Sequence, residues 1–189
     1  MPRPRTITDE SLLEAALAIL HQRGPGAVTF AAVSGVSGLA PATLVQRFGS
    51  KDGLLEAVLL HAWNLLDART DALDAELGVE PAAAVRLLVA LSSHGDLERY
   101  ADGLLVLRED FRNSRLRERG TAWGERLSRM LGRRLTADPA REAELGRLML
   151  NQWQGVLLWW GFSRNGSLER QVAAELAAFL AALSISGLR

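Results

Sequence analysis

Apolar residues recur along almost the whole chain at the three- and four-residue spacing of a single helix face, and no stretch alternates apolar and polar positions as a half-buried strand does. Leu12, Ala16, Ile19 and Leu20 set the first such face after Thr8 or Asp9, and Gly24-Pro25-Gly26 breaks it. Thr29 is placed to cap a short second helix from Phe30 to about Gly35. Gly38 marks a turn, and Pro41 suits the first position of a third short helix ending near Phe48-Gly49. Ser50 then caps a fourth helix running to Leu77, with Gly78 at its end and Pro81 beyond. That helix, roughly 28 residues long, spans ~42 Å. Further helices are predicted over 81–93, 96–111, 114–135, 139–162 and 167–185, separated by His94-Gly95, Asn113, Asp138-Pro139 and Asn165-Gly166. The fold class is therefore all-α with about nine helices, and there is no internal repeat.

Composition narrows the reading. With 48% apolar residues in 189, the chain can bury a substantial core and is not disordered. Arg, Glu, Asp or Gly interrupts every apolar run before the roughly 18 residues that a membrane span needs. The opening MPRPRTITDE has basic residues but no apolar stretch after them, so it does not read as a signal peptide. Zero cysteines exclude disulfides, Cys-ligated zinc and thiol catalysis, and a cytoplasmic location is the default. Asn165-Gly166-Ser167 fits a glycosylation sequon, which means little without secretion.

Net charge is zero, and residues 1–55 set Arg3, Arg5, Arg23, Arg47 and Lys51 against Asp9, Glu10, Glu14 and Asp52, so charge alone does not mark a nucleic-acid binder. The strongest basic stretch lies at 108–134, with nine Arg against four acids, while 66–102 holds eight acids against three Arg. These two blocks are expected to offset each other on solvated helix faces.

Residues 29–53, TFAAVSGVSGLAPATLVQRFGSKDG, carry the main chemistry. A short helix, a Gly-containing turn and a second short helix form the unit that places one helix in the DNA major groove. Ala32, Val33, Val36, Leu39, Leu44 and Phe48 can pack this unit, leaving Thr43, Gln46 and Arg47 toward solvent. Gln pairs with adenine, Arg with guanine or phosphate, and Thr with phosphate or a thymine methyl.

The run Ala16, Gly24, Thr29, Val33, Gly38, Thr43, Leu44, Phe48, Ser50, Lys51 and Leu54 resembles the N-terminal domain of the TetR family of bacterial repressors over about residues 8–58, under a third of the chain. The resemblance implies a helix-turn-helix DNA-binding domain at 1–49, followed at 50–189 by a helical ligand-binding and dimerisation domain. It implies that Thr29 touches a phosphate, that Ala42, Thr43, Gln46 and Arg47 face the groove or its walls, and that Lys51 holds a phosphate. Two positions depart from the family pattern: Val45 stands where Tyr is usual among the DNA contacts, and Ala40 where Ser or Thr usually caps the recognition helix. The arm Pro2-Arg3-Pro4-Arg5 either follows the minor groove or backbone or is a plain solvated tail.

In the second half, Leu145, Met149, Gln152, Trp153, Val156 and Trp160 share one broad helix face, and Trp63, Trp123, Trp159 and Phe162 add aromatic bulk. The resemblance implies an effector cavity lined by Trp63, Trp123, Met149, Gln152, Trp153, Val156 and Trp160, suited to an apolar or aromatic small molecule. Ordinary core packing is the alternative for each. His61 and His94 are either polar contacts to a ligand or satisfied or solvated side chains; their spacing and the lack of Cys argue against a metal site, and no cofactor is expected. The last helix carries a stripe of Leu168, Val172, Leu176, Phe179 and Leu183 beside Ala173, Ala174, Ala177, Ala178, Ala181 and Ala182. The resemblance implies a homodimer through the last two helices, with Leu168, Val172, Ala173, Leu176, Ala177 and Leu180 at the interface; an internal cap on the core is the alternative.

The chain is thus expected to be a dimeric, ligand-responsive regulator that binds a palindromic double-stranded DNA operator. An enzyme is disfavoured, because no GxSxG, HExxH or phosphate-binding loop occurs. The alternative is a helical protein-binding or small-molecule-binding module without DNA binding.

Overall fold

The computed structural model describes residues 7–92, 97–163 and 166–185, and the side chains of 7–92, 103–163 and 166–183 among them. Nine α-helices and no strand occur among the described residues: α1 Asp9–Arg23, α2 Phe30–Ser37, α3 Pro41–Phe48, α4 Lys51–Glu76, α5 Pro81–Leu91, α6 Leu97–Arg112, α7 Ser114–Leu135, α8 Pro139–Ser163 and α9 Leu168–Ile185, with one 3-10 turn at Pro25–Ala27. The breakers also act as caps. Asn113 Oδ1 accepts from the Arg115 and Leu116 amides at 2.9 and 3.3 Å, and Asp138 Oδ1 accepts from the Ala140 amide at 3.0 Å. His94, the arm at Pro2–Arg5 and Asn165 lie outside the described residues.

The chain divides into two compact units. The first comprises Met1–Leu66 with Ala101–Gly120, and the second Asp67–Tyr100 with Thr121–Arg189. In the first, Leu12, Ala16 and Leu20 of α1, Val33 of α2, Leu44 of α3, Leu54, Val58 and Leu59 of α4 and Leu116 of α7 bury one another. Val36, expected to pack there, is instead 61% exposed, because it sits in the last turn of α2 just before the chain reverses at Gly38.

In the second unit α9 packs against α5 and α8. Leu168, Val172 and Leu176 are 4%, 0% and 0% exposed within a single chain, so they face inward and are unavailable to a partner. This corrects the expected interface: Ala173 and Leu180 are half-buried, and Ala177 is exposed with Ala174, Ala178 and Ala181 on the opposite side of the helix. The helix is apolar on two sides, and its own chain takes the side with the larger residues. Between α7 and α8 the backbones approach so closely that a Cβ at Gly146 would overlap the Ser128 carbonyl, and one at Gly132 the Glu142 carbonyl. The two pairs run in opposite directions along their helices, so α7 and α8 cross antiparallel.

Acids of α4 meet arginines of α7 in pairs. In the first unit Glu56 of α4 accepts from Arg115 of α7 at 2.5 Å; in the second, Asp67 pairs with Arg126, and Asp74 with Arg133. Each pair is 59 residues apart in sequence, so in each unit the α4 and α7 segments run side by side in the same direction. Arg134 departs from the solvated-face expectation. Its side chain is 0% exposed and reaches Asp74 Oδ1 at 2.6 Å. It also donates to the carbonyls of Gly78 and Met130 at 2.8 Å, Asp74 at 3.1 Å and Leu77 at 3.2 Å. Arg134 therefore caps the C-terminal end of α4, where a cation also meets the negative end of the helix dipole. Burial pushes the Asp74 carboxyl up, but the hydrogen bonds and charges of Arg134 and Arg133 together hold it below its ordinary range.

This packing can be tested through stability. Arg134→Met removes the donor to the Asp74 carboxylate and to the carbonyls of Asp74, Leu77 and Gly78 and should cost about 3–5 kcal/mol in urea unfolding at neutral pH; a loss of about 0–1 kcal/mol, typical of an exposed pair, would contradict its role. Ala normally stabilises a helix by about 1 kcal/mol over Gly. Gly35→Ala, in α2 with open space around it, should therefore raise stability, whereas Gly146→Ala should lower it by about 1–3 kcal/mol. Equal signs for the two variants would refute the close α7–α8 crossing.

Candidate nucleic-acid interface

Hydrogen bonds close the α2–α3 unit at each end of its turn. Thr29 Oγ1 accepts from the Ala32 amide at 3.1 Å, so Thr29 caps α2 as its sequence position suggests. Gly38 follows α2 with φ of 73°, a left-handed conformation that a side chain would strain, and its amide donates to the Ser34 carbonyl at 2.9 Å. Ser34 Oγ donates across the turn to the Leu39 carbonyl at 2.7 Å. Ala40 supplies no side-chain cap to α3; Pro41 starts the helix with its φ already set, and the Thr43 amide donates to the Ala40 carbonyl at 2.9 Å.

Leu44, 0% exposed, anchors α3 to the core. Around it Ala42, Val45 and Gln46 are exposed and Thr43 is half-buried, so the outer side of α3 offers a methyl, an isopropyl group, an amide and a hydroxyl. Arg47 is already engaged. Its Nη1 donates to Asp9 Oδ1 at 2.8 Å and to the Ile7 carbonyl at 3.0 Å, tying the last turn of α3 to the start of α1. At the head of α4, Ser50 Oγ accepts from the Gly53 amide at 3.0 Å. Lys51 is exposed and makes one long contact, 3.4 Å, to the Gly26 carbonyl. The structure therefore brings Ala42, Thr43, Val45, Gln46 and Arg47 onto one short helix, with Thr29 and Lys51 at the starts of the helices on either side of it.

The residues expected around an effector are distributed differently. In the second unit Trp123 and Trp153 lie together, ring centroids 6.3 Å apart and tilted by 50°. Trp123 Nε1 donates to Thr70 Oγ1 at 3.1 Å and Trp153 Nε1 to Ser92 Oγ at 2.7 Å, while Ser92 Oγ donates to the Leu88 carbonyl at 2.6 Å. Met149, Val156 and Trp160 are buried, Gln152 is half-buried, and Trp160 Nε1 donates to the Gly166 carbonyl at 3.3 Å. The indole N–H groups of these three tryptophans are thus matched from within the unit. Trp159 and Phe162 are not interior: they stand 67% and 74% exposed on α8, their rings 5.6 Å apart.

Trp63 belongs to the first unit, where its Nε1 donates to Asp110 Oδ1 at 3.1 Å. Burial pushes the Asp110 carboxyl up, and the Trp63 N–H offsets only part of that. Sequence reading missed Asp110, Thr70 and Ser92. Asp110 sits in Arg108-Glu109-Asp110, which reads as a solvated charge run. His61 is buried with Nε2 unpartnered, and no group of His, Cys, Asp or Glu able to hold a metal occurs among the described residues.

Comparison with known proteins agrees with this architecture. The family of bacterial regulatory proteins, tetR family, matches residues 12–58. The HTH-type transcriptional repressor BdcR of Escherichia coli (strain K12) is 42% identical over 57 residues, which span 30% of this chain and 29% of that repressor. A TetR-like transcriptional regulator from Rhodococcus sp. RHA1 superposes with a TM-score of 0.64 at 18% identity, covering 98% of this chain and 99% of that one. The TetR family transcriptional regulator PfmR from Thermus thermophilus gives 0.58 at 23% identity, covering 90% and 97%. The multidrug binding protein EbrR, complexed with imidazole, gives 0.62 at 18% identity, covering 94% and 96%. The helix-turn-helix segment is thus similar in sequence to the tetR family of bacterial regulatory proteins, and the helical fold is shared with TetR-type regulators along nearly the whole length.

Proposed function

We propose that this chain is a dimeric transcriptional repressor that binds a palindromic double-stranded DNA operator and is released by a small-molecule effector. The observation that carries the reading is the rigid mounting of α3. Leu44 fixes its inner side, the Ser34–Gly38 turn fixes its approach, and Ala42, Val45 and Gln46 are left free on the outside. In this reading Gln46 pairs with a base edge, Val45 and Ala42 meet thymine methyls, and Thr43, Thr29 and Lys51 hold phosphates. Arg47 acts first as a strut between α3 and α1, and touches phosphate only by leaving Asp9.

Residues 1–49 read DNA, and 50–189 serve dimerisation and effector binding. The repressor sense is supported by likeness to a repressor over the DNA-reading segment, and effector binding by the fold shared with a multidrug binding protein. The effector has an apolar or aromatic body. The partner is a second copy, docked on the outer sides of α8 and α9, where Leu158, Trp159 and Phe162 of α8 and Ala174, Ala177, Ala178 and Ala181 of α9 are exposed. Three large apolar residues on one helix beside four alanines on the next match the close helix approach of a four-helix interface. Acting on DNA places the protein in the cytoplasm. The family is one of regulators, not enzymes.

α4 is one continuous helix from Lys51 to Glu76, so an effector that repacks its later turns can displace Lys51 from its phosphate. About 2.7 kcal/mol of preference for the displaced state lowers operator affinity up to about a hundredfold.

Lys51→Ala should weaken binding to all DNA sequences alike and lower the salt slope by about one unit. Gln46→Ala should change preference at one base pair, costing about 1–3 kcal/mol there. Parent-like operator binding by both variants in mobility-shift titrations would reject α3 as the reading helix. Ala177→Arg places a charge on the exposed side of α9 and should yield monomers in sedimentation; an unchanged dimer would move the interface elsewhere.

A further inference from the structure

Between residues 7 and 55 the chain carries three arginine or lysine side chains, Arg23, Arg47 and Lys51, and they are not equally available to DNA. Lys51 is exposed, and its one contact is a long 3.4 Å reach to a neutral group, the Gly26 carbonyl. Arg47 is held far more closely. Its side chain is 28% exposed, and Nη1 donates to Asp9 Oδ1 at 2.8 Å and to the Ile7 carbonyl at 3.0 Å. Glu10, Glu14 and Asp52 are exposed in the same unit, yet Asp9 is the acid that Arg47 meets.

The two partners are set in place independently of each other. Thr8 Oγ1 accepts from the Ser11 amide at 3.2 Å, which starts α1 with Asp9 in its first turn. Leu44, buried one turn before Arg47, holds α3 against the core. The pair thus joins two fixed helix ends that lie 38 residues apart in sequence. Asp9 is itself 67% exposed, so water screens the pair, and a phosphate oxygen can compete for the same guanidinium fork. A cation strengthens DNA binding by releasing counterions condensed on a phosphate. One already neutralised by a carboxylate does so only after that carboxylate is displaced.

Resting on the DNA-reading assignment of α3 above, we propose that Asp9 is a positioning residue that withholds Arg47 from the DNA backbone. One carboxylate and one phosphate compete for one guanidinium, and Asp9 thereby limits how strongly the reading unit is drawn to DNA. Phosphate attraction is the same for every sequence, so Asp9 lowers the affinity for all DNA alike and leaves the choice of bases to the outer side of α3. Lys51, with no acid in contact, carries the backbone attraction that remains.

The test uses the full chain and a fluorescently labelled duplex of random sequence, titrated by anisotropy over a salt series. Asp9→Asn removes the charge and keeps the size of the side chain. Asp9→Asn should bind more tightly at low salt and steepen the salt slope by about one unit, so that its advantage shrinks about 3.5-fold between roughly 50 and 200 mM salt. Asp9→Asn combined with Arg47→Ala should show no such steepening over Arg47→Ala alone, because the released guanidinium is then missing. Both positions are at least partly exposed, so the helices persist in each variant. An unchanged slope in Asp9→Asn overturns the proposal and leaves the DNA-reading assignment standing. Equal steepening in the two backgrounds does the same, since loss of a repelling acid is then the whole effect. A parent that binds no duplex even at the lowest salt overturns the DNA-reading assignment, and this proposal with it.

Discussion

The pairing of α4 with α7 is the constraint on which the rest of the architecture depends. In the first unit Glu56 meets Arg115; in the second Asp67 and Asp74 meet Arg126 and Arg133, and Arg134 is buried against Asp74 and the carbonyls just past the end of α4. Surface ion pairs of this kind contribute little one at a time. Arg134 is different: withheld from water and donating to Asp74 and four backbone carbonyls, it specifies where α4 stops and beside which turn of α7 it stops. A helix whose first half supplies Leu54, Val58 and Leu59 to one core and whose second half supplies Thr70 and Asp74 to another has its register fixed twice.

This charge pairing explains how a protein of zero net charge fits a DNA-reading role. Four arginines of α7, Arg115, Arg126, Arg133 and Arg134, are engaged by acids of α4 and so are not simply a basic face for phosphate. Arg47 too is held by Asp9. On the proposed reading, attraction to the backbone then rests on few groups, Lys51 foremost, and recognition leans on the shape and short polar side chains of α3. On the same reading Val45, exposed on α3, offers apolar contact rather than a phosphate bond.

Much of the fold was legible because helix ends are local chemistry. Thr29, Asn113 and Asp138 cap helices through their own side chains, and Gly38 adopts a conformation few other residues tolerate, so the signals lie within four residues of the ends they set. The bounds of α3, the proposed reading helix, were legible for the same reason. What sequence left open depends on which surface covers which. The Leu168–Leu176 stripe and the Ala174–Ala181 side of α9 both read as apolar, and only packing against α5 and α8 assigns the first to the interior. The tryptophans read as cavity lining or as core, and the sequence does not show that Thr70 and Ser92, far away in it, accept from two of them. Asp110 looked like one more solvated acid until Trp63 was found beside it.

The central claim is that two copies of α3, held by one dimer, read DNA. Selection of bound duplexes from a random-sequence pool by the full-length protein tests this most directly. The account predicts enrichment of an inverted repeat whose half-sites are centred about 10 base pairs apart, one helical turn, or a multiple of that spacing. Enrichment of an unrepeated site, or of no sequence at all, would contradict it.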